Sequence, residues 1–266
     1  MFQFFLGYEV TVKENGCTFK LDFSKVYWNP RLGTEHQRIV DLVKSGDTVF
    51  DVFAGVGPFA IPLGIKGKKQ PKPIKIYAND LNPSSFEYLK NNKTLNKIKD
   101  NFNCYNLDGS EFIKTVVRKE LVKGIVLCFL FVLNYNFIAL YKFFYDKISD
   151  QNEGQVHIVM NLPAIATTFL PSFKNLISQE QLEKRQDRKN PMVHVYAFGK
   201  GDNKEAELIK ECCEQLQVEV IEDIKLHFVR AVSGNKDMYR VSFPLTLEML
   251  TESDSNGNDA KRQKLS

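Results

Sequence analysis

From Thr48 onward, short runs rich in β-branched and aromatic residues alternate with longer stretches whose apolar positions recur at helical spacing. TVFDVFA, PIKIYAND, FNCYNLD, QVHIVMNLP, PMVHVYAFG, IKLHFVRAV and DMYRVSFPL predict seven strands. NPSSFEYLKNN, GSEFIKTVVRKELV, AIATTFLPSFKNLI and NKEAELIKECCEQL predict helices between them. Such alternation builds right-handed βαβ units and therefore an α/β fold with a mostly parallel sheet. The last two strands have no helix between them. A short return at Ser233, Gly234 and Asn235 makes them a hairpin, which places one antiparallel strand in the sheet.

Residues 1–28 carry two shorter alternating runs, EVTVKENG and CTFKLDF, joined by Asn15-Gly16, a strong two-residue hairpin signal. They predict a small β element ahead of a main domain over residues 29–250. Residues 251–266, polar and turn-rich, read as a disordered tail. Its KRQK matches a nuclear signal only loosely, and a solvated charged tail is the simpler reading. The uncharged stretch GIVLCFLFVLNYNFIALY, residues 124–141, is long enough to span a membrane. Its place between two strands of one sheet argues against that. It reads instead as an apolar insertion of about residues 124–150, either helix packed on the sheet or non-native sequence.

Against that frame the composition is permissive. The 266 residues are 43% hydrophobic, enough for one large domain with a small appendage. With 36 Lys+Arg against 32 Asp+Glu, the net charge of +4 permits a nucleic-acid partner without demanding one. Five cysteines without a C-x-x-C pair predict neither a zinc site nor a disulfide framework, and suit a reducing compartment. The opening MFQFFLGYEV has no basic region before its apolar residues; it reads as a chain starting mid-domain, not as a secretory signal.

The chemistry gathers at the predicted strand ends. In DVFAGVGPFAIP a strand runs into Gly55-Val56-Gly57 and then a helix, a turn that brings backbone N–H groups close to an anionic group. Gly55-x-Gly57-x-x-Ala60 also fits the dinucleotide fingerprint, so the loop alone is ambiguous. Asp80, 23 residues after Gly57, ends the next strand where a carboxylate takes ribose hydroxyls in either case. Asp108-Gly109 and Asn161-Leu162-Pro163-Ala164 end the third and fourth strands, and a dehydrogenase fingerprint predicts neither. Asp80 and Asp108 could each simply cap the following helix. Pro163 stops its strand and fixes Asn161, whose amide suits the edge of a nucleobase. His157 and His194 lie within apolar strands and read as satisfied core residues, and no histidine spacing suggests a metal.

YWNPRLGTEH, DVFAGVGPFAIP, ANDLNP, NLDG, VMNLPA and FVR…NKDMYRVSF together resemble the eukaryotic and archaeal tRNA (guanine(37)-N1)-methyltransferase family, across about residues 8–248. The resemblance implies a Rossmann-like class I methyltransferase sheet, S-adenosylmethionine as methyl donor, and tRNA with guanine 3′ of the anticodon as substrate. Carried over by position, it implies Asp80 as the ribose-binding acid, Leu81 beside the adenine, and Asp108 with Gly109 as the adenine-contacting pair. Asp51, Phe53, Gly55 and Gly57 belong to the same cofactor site, which His36 and Asn161 complete. Asn161 and Pro163 face the guanine, Tyr27 corresponds to an aromatic position near the methyl donor, and Arg31 could reach phosphate or base edges. Guanine N1 carries a proton at neutral pH, and the resemblance implies Glu35 as the general base that removes it. The plainer reading of Glu35 is a charge favoured in the first turn of a helix.

The family's N-terminal tRNA-binding domain and its base-gripping arginine precede the part matched here, so the chain reads as N-terminally truncated. Ser233-Gly234 replaces the family's Ala-Pro before Asn235-Lys236, which implies a relaxed loop. Competing readings are a wybutosine-pathway aminocarboxypropyl transferase, a nicotinamide-dependent oxidoreductase, and an inactive RNA-binding fragment. A monomer without metal or membrane is expected, in the cytoplasm or nucleus, with the mitochondrial matrix suggested by the resemblance.

Overall fold

The computed structural model describes residues 8–122, 154–178, 181 and 189–251. The apolar stretch 124–141 and the tail from residue 252 onward lie outside the described residues. Among those described, no helix is long and apolar enough to cross a membrane.

The chain opens with β1 (Glu9–Glu14) and β2 (Cys17–Asp22), an antiparallel pair closed by Asn15-Gly16. Both turn residues have positive φ, 49° and 73°, as the mirror-image hairpin turn requires. Then follow α1 (Gly33–Leu42), β3 (Thr48–Asp51), α2 (Ala60–Gly67), β4 (Lys75–Asn79), α3 (Pro83–Leu95) and β5 (Phe102–Tyr105). The next helical stretch starts as α4 (Gly109–Phe112), widens into a π-helical segment (Ile113–Val117) and ends as α5 (Arg118–Val122). Beyond it come β6 (Val156–Met160), β7 (Met192–Lys200), α6 (Lys204–Leu216), β8 (Lys225–Ser233), β9 (Lys236–Pro244) and α7 (Leu247–Leu250).

All seven expected strands join one sheet in the order β5-β4-β3-β6-β7-β9-β8, with β9 antiparallel to both neighbours. The expected helix after β6 is instead a 3₁₀ helix, Ala166–Phe173. Pro171 inside it has no N–H to donate, so an α ladder cannot run through.

Apolar side chains fill both faces of the sheet. One face packs Phe50, Ile158 and Val195 under the π-helical segment, the 3₁₀ helix and α6; the other packs Val49, Ala78 and Val159 under α1, α2, α3 and the hairpin. The hairpin is therefore continuous with the main core, through Cys17, Phe19 and Leu21. Asn92 of α3 and Asn96, just past the end of that helix, complete the hairpin's outer edge. Lys20 N donates to Asn92 Oδ1 (2.8 Å) and Thr18 N to Asn96 Oδ1 (3.0 Å), while the two side-chain amides donate back to the carbonyls of Lys20 and Thr18. An amide carries the donor and acceptor of a peptide group, so this pair occupies bonds a third strand would make.

Candidate functional site

The carboxyl ends of β3, β4 and β5 are knotted together by side chains. After Asp51 the chain turns through Gly55 and Gly57, at φ of +55° and +100°. A Cβ on Gly57 would fall 2.7 Å from Ile61 and 2.8 Å from Leu89, so both conformation and packing require glycine there. The Gly55 amide donates to Asp80 Oδ2 (2.8 Å) and the Asn82 amide to Oδ1 (2.9 Å). Burial raises the pKa of Asp80 above the usual carboxylate value. Asn79, fully buried, donates to the carbonyls of Val52 and Leu107 and accepts from Leu107 N. One amide thus fixes three loops relative to one another.

Asp108 is exposed and caps α4, accepting from Ser110 N at 2.8 Å through Oδ1. Its neighbour Gly109 forms the floor of an aromatic slot. A Cβ there would lie 2.7 Å from Phe53 and 3.0 Å from Phe169, whose rings meet edge to face at 4.9 Å. Only a glycine lets that pair approach the backbone so closely.

Register places the polar ends on one face. Asp51 pairs with Ala78 on one side and Val159 on the other, and Asp80 and Asn161 stand two residues beyond those partners. Asp51 is 0% exposed, and neither of its oxygens makes a well-formed hydrogen bond, although the Phe53 amide lies near enough to favour its charged form slightly. Burial, with the nearby charge of Asp80, pushes its pKa up to about 8. Asn161 Oδ1 is likewise buried and unpartnered.

The same row continues across the sheet. One step beyond the last β6–β7 pair, Met160 with Val195, stand Asn161 and Tyr196; Tyr196 pairs with Arg240, and Arg240 with His227. Glu35, in the first turn of α1 and 2% exposed, comes down onto this row. Its Oε1 accepts from Tyr196 Oη (2.9 Å) and Arg240 Nη1 (2.6 Å). Its Oε2 is held more loosely, by Arg38 Nη1 at 3.3 Å, with His227 Nε2 at 3.5 Å.

The structure thus gathers Asp51, Phe53, Gly55, Gly57, Asp80, Asp108, Gly109 and Asn161 at one edge, with Leu81 (63% exposed) and half-buried Pro163 on its rim. The remaining expected site residues have partners of their own or stand in solvent. Tyr27 is 76% exposed and accepts only a bond from Asn29, at 3.1 Å, and Arg31 is exposed. His36 is buried, with Nδ1 2.6 Å from Glu14 Oε1 and its ring edge-on to Phe59. Sequence reasoning passed over Asn79, Phe169, Tyr196, Arg240 and His227. Asn79 had a signal, a polar residue at an inward position of an apolar strand; the others are brought in by the fold. Among the described residues no group of three or more His, Cys, Asp or Glu is arranged to hold a metal. Two surface grooves of about 400 and 360 Å³ lie away from this edge, between the hairpin and α3 and beside the start of β4.

Comparison with known proteins matches residues 10–140 to the TRM5/TYW2 methyltransferase domain. The tRNA (guanine(37)-N(1))-methyltransferase of Anopheles gambiae is 43% identical over 246 residues, covering 91% of this chain and 38% of that protein. Its Drosophila melanogaster counterpart is 44% identical over 248 residues, 92% of this chain and 48% of that protein. The solved structure of Methanocaldococcus jannaschii Trm5 in complex with adenosine superposes with a TM-score of 0.55 at 25% identity, covering 90% of this chain and 57% of that one. The chain spans about half the length of the curated relatives it matches. A glycine loop, a buried acid at the end of β4 and an aromatic slot on the expected sheet, with two-fifths identity to these relatives, lead to one conclusion: the chain belongs to the TRM5/TYW2 methyltransferase family.

Proposed function

We propose that this chain is the catalytic part of an S-adenosylmethionine-dependent tRNA methyltransferase that modifies N1 of the guanine 3′ of the anticodon. The observation that carries the reading is the pair of orphaned acceptors at one strand edge, the Asp51 carboxylate and Asn161 Oδ1. A buried polar atom left unpaired costs about 1–3 kcal/mol, more when charged. Such a cost is sustained where a ligand brings the missing donors.

S-adenosylmethionine fits the residues present. Asp51 would take its ammonium, Asp80 the ribose hydroxyls, and the slot of Phe53, Phe169 and Gly109 the flat adenine. When bound, the nucleoside supplies an electrophilic methyl group on a sulfonium sulfur. The chain's own residues orient the guanine and remove the N1 proton. Asn161 presents an amide to the base edge. Glu35 is the base, with Oε1 anchored by Tyr196 and Arg240, and Oε2, the loosely held oxygen, accepting the proton as Arg38 gives way. Arg31, exposed beside α1, would reach phosphate or base edges, and Tyr27, also exposed there, would close on the methyl donor when substrate binds.

The test is incubation with labelled methyl donor and unmodified tRNA transcripts that carry or lack guanine 3′ of the anticodon. The expected product is 1-methylguanosine, only in transcripts carrying that base. Transfer of an aminocarboxypropyl group, seen by mass spectrometry, would assign the chain to the other branch of its family. Stabilisation by NAD but not by S-adenosylhomocysteine would replace the reading altogether.

A further inference from the structure

Resting on the reading of Glu35 as base, we propose that His227 is a positioning residue that relays the proton from Glu35 to solvent. In the reaction the N1 electron pair forms the bond to the methyl carbon as the S–C bond breaks, its pair returning to sulfur. The N1–H proton is left over once per turnover. Glu35 holds it in a pocket where the carboxylate is 2% exposed, so the base is reset only if a neighbour carries the proton out.

Of the groups packed on Glu35, Arg38 from α1 and Arg240 from β9 are permanent cations and cannot accept it. Tyr196 from β7 is buried and already donates to Oε1. His227 differs. Its Nε2 is buried without a hydrogen-bond partner, 3.5 Å from Glu35 Oε2, while the ring as a whole is 36% exposed on the edge strand β8. One nitrogen faces the carboxylate and the ring reaches water. Burial, helped by Arg240 and Arg38 against the opposing charge of Glu35, holds the imidazole pKa below its ordinary value. A neutral ring is therefore ready to accept. The present separation is longer than a hydrogen bond, as such contacts often are before substrate binds.

The relay is tested on the 266-residue chain with His227→Gln and His227→Ala. Steady-state kcat is expected to fall tenfold or more, less than the roughly 10²–10⁴-fold contributed by a group that acts on the substrate proton directly, and the first turnover by less. Added imidazole should restore His227→Ala in proportion to its neutral form. S-adenosylhomocysteine affinity should stay within twofold. In NMR titration, Glu35→Gln should lower the His227 pKa, because the carboxylate charge that props it up is gone. Undiminished kcat in an active protein, a loss that imidazole does not repair, or a His227 titration indifferent to Glu35→Gln each overturns the relay alone. A wild type that methylates no tRNA overturns the parent reading, and the relay with it.

Discussion

At the scale of single residues, Asp51 carries the clearest consequences. Its carboxyl, near pKa 8 in the folded chain against 3.8 in an exposed one, binds a proton that the unfolded chain releases. Its contribution to stability is therefore complete below about pH 4 and is lost as pH rises through 8. Asp51→Asn is expected to flatten the fall in ligand-free melting temperature between pH 7 and 8.5, measured by scanning fluorimetry. Binding runs the other way, since a ligand ammonium pairs with the ionised form. S-adenosylhomocysteine should bind wild type more tightly as pH approaches 8. Asp51→Asn should lose at least tenfold in affinity at pH 8 together with that slope, about 1.4 kcal/mol or more. Calorimetric affinities equal for the two proteins would remove Asp51 from the site.

At the scale of elements, the strand ends act as a unit because Asn79 ties the loops after β3 and β5 to the end of β4. Asn79→Ala abandons one buried N–H and two carbonyls, at about 1–3 kcal/mol for each that finds no water. We expect a net loss of about 3 kcal/mol, or roughly 6–12 °C in melting temperature for a domain this size. Cofactor affinity should fall in parallel although Asn79 touches no ligand in the proposed site. Retained affinity in a destabilised variant would show that the loops hold their places independently. Asn92 and Asn96 do comparable work for the hairpin, replacing a missing strand with side-chain amides.

At the scale of the whole molecule, the same face of the sheet carries a buried polar chain toward the amino ends of the strands. Asp47 Oδ2 lies 3.3 Å from His157 Nε2, His157 Nδ1 3.1 Å from His194 Nε2, and His194 Nδ1 2.9 Å from Ser242 Oγ. It links the approach to β3 with β6, β7 and β9. Burial, then the charge of His157, depresses the His194 pKa well below 6.5. The unfolded chain takes up that proton first, so the stability is present above about pH 6.5 and erodes as pH falls below it. Melting temperature should drop between pH 7 and 5, and His194→Gln should show a shallower drop. An identical acid limb in both proteins would place its origin elsewhere.

Strand positions, the Asn15-Gly16 turn, the glycine loop and the acids at the strand ends were legible in the residues alone, because period-two alternation, turn chemistry and glycine's conformational range act over a few neighbouring positions. The sequence likewise exposed His157 and His194 as interior residues. What it could not show was company. Tyr196 and Arg240 reach Glu35 across 161 and 205 residues of chain, and no local rule couples such distances. Glu35 looked like an ordinary first-turn charge; packing of α1 onto the assembled sheet made it a buried carboxylate with one firmly held oxygen and one loose one. Asp51 looked like the end of a strand. Only the pairing of β3 between β4 and β6, which takes water from both sides of it, turned that residue into an unpaired acid.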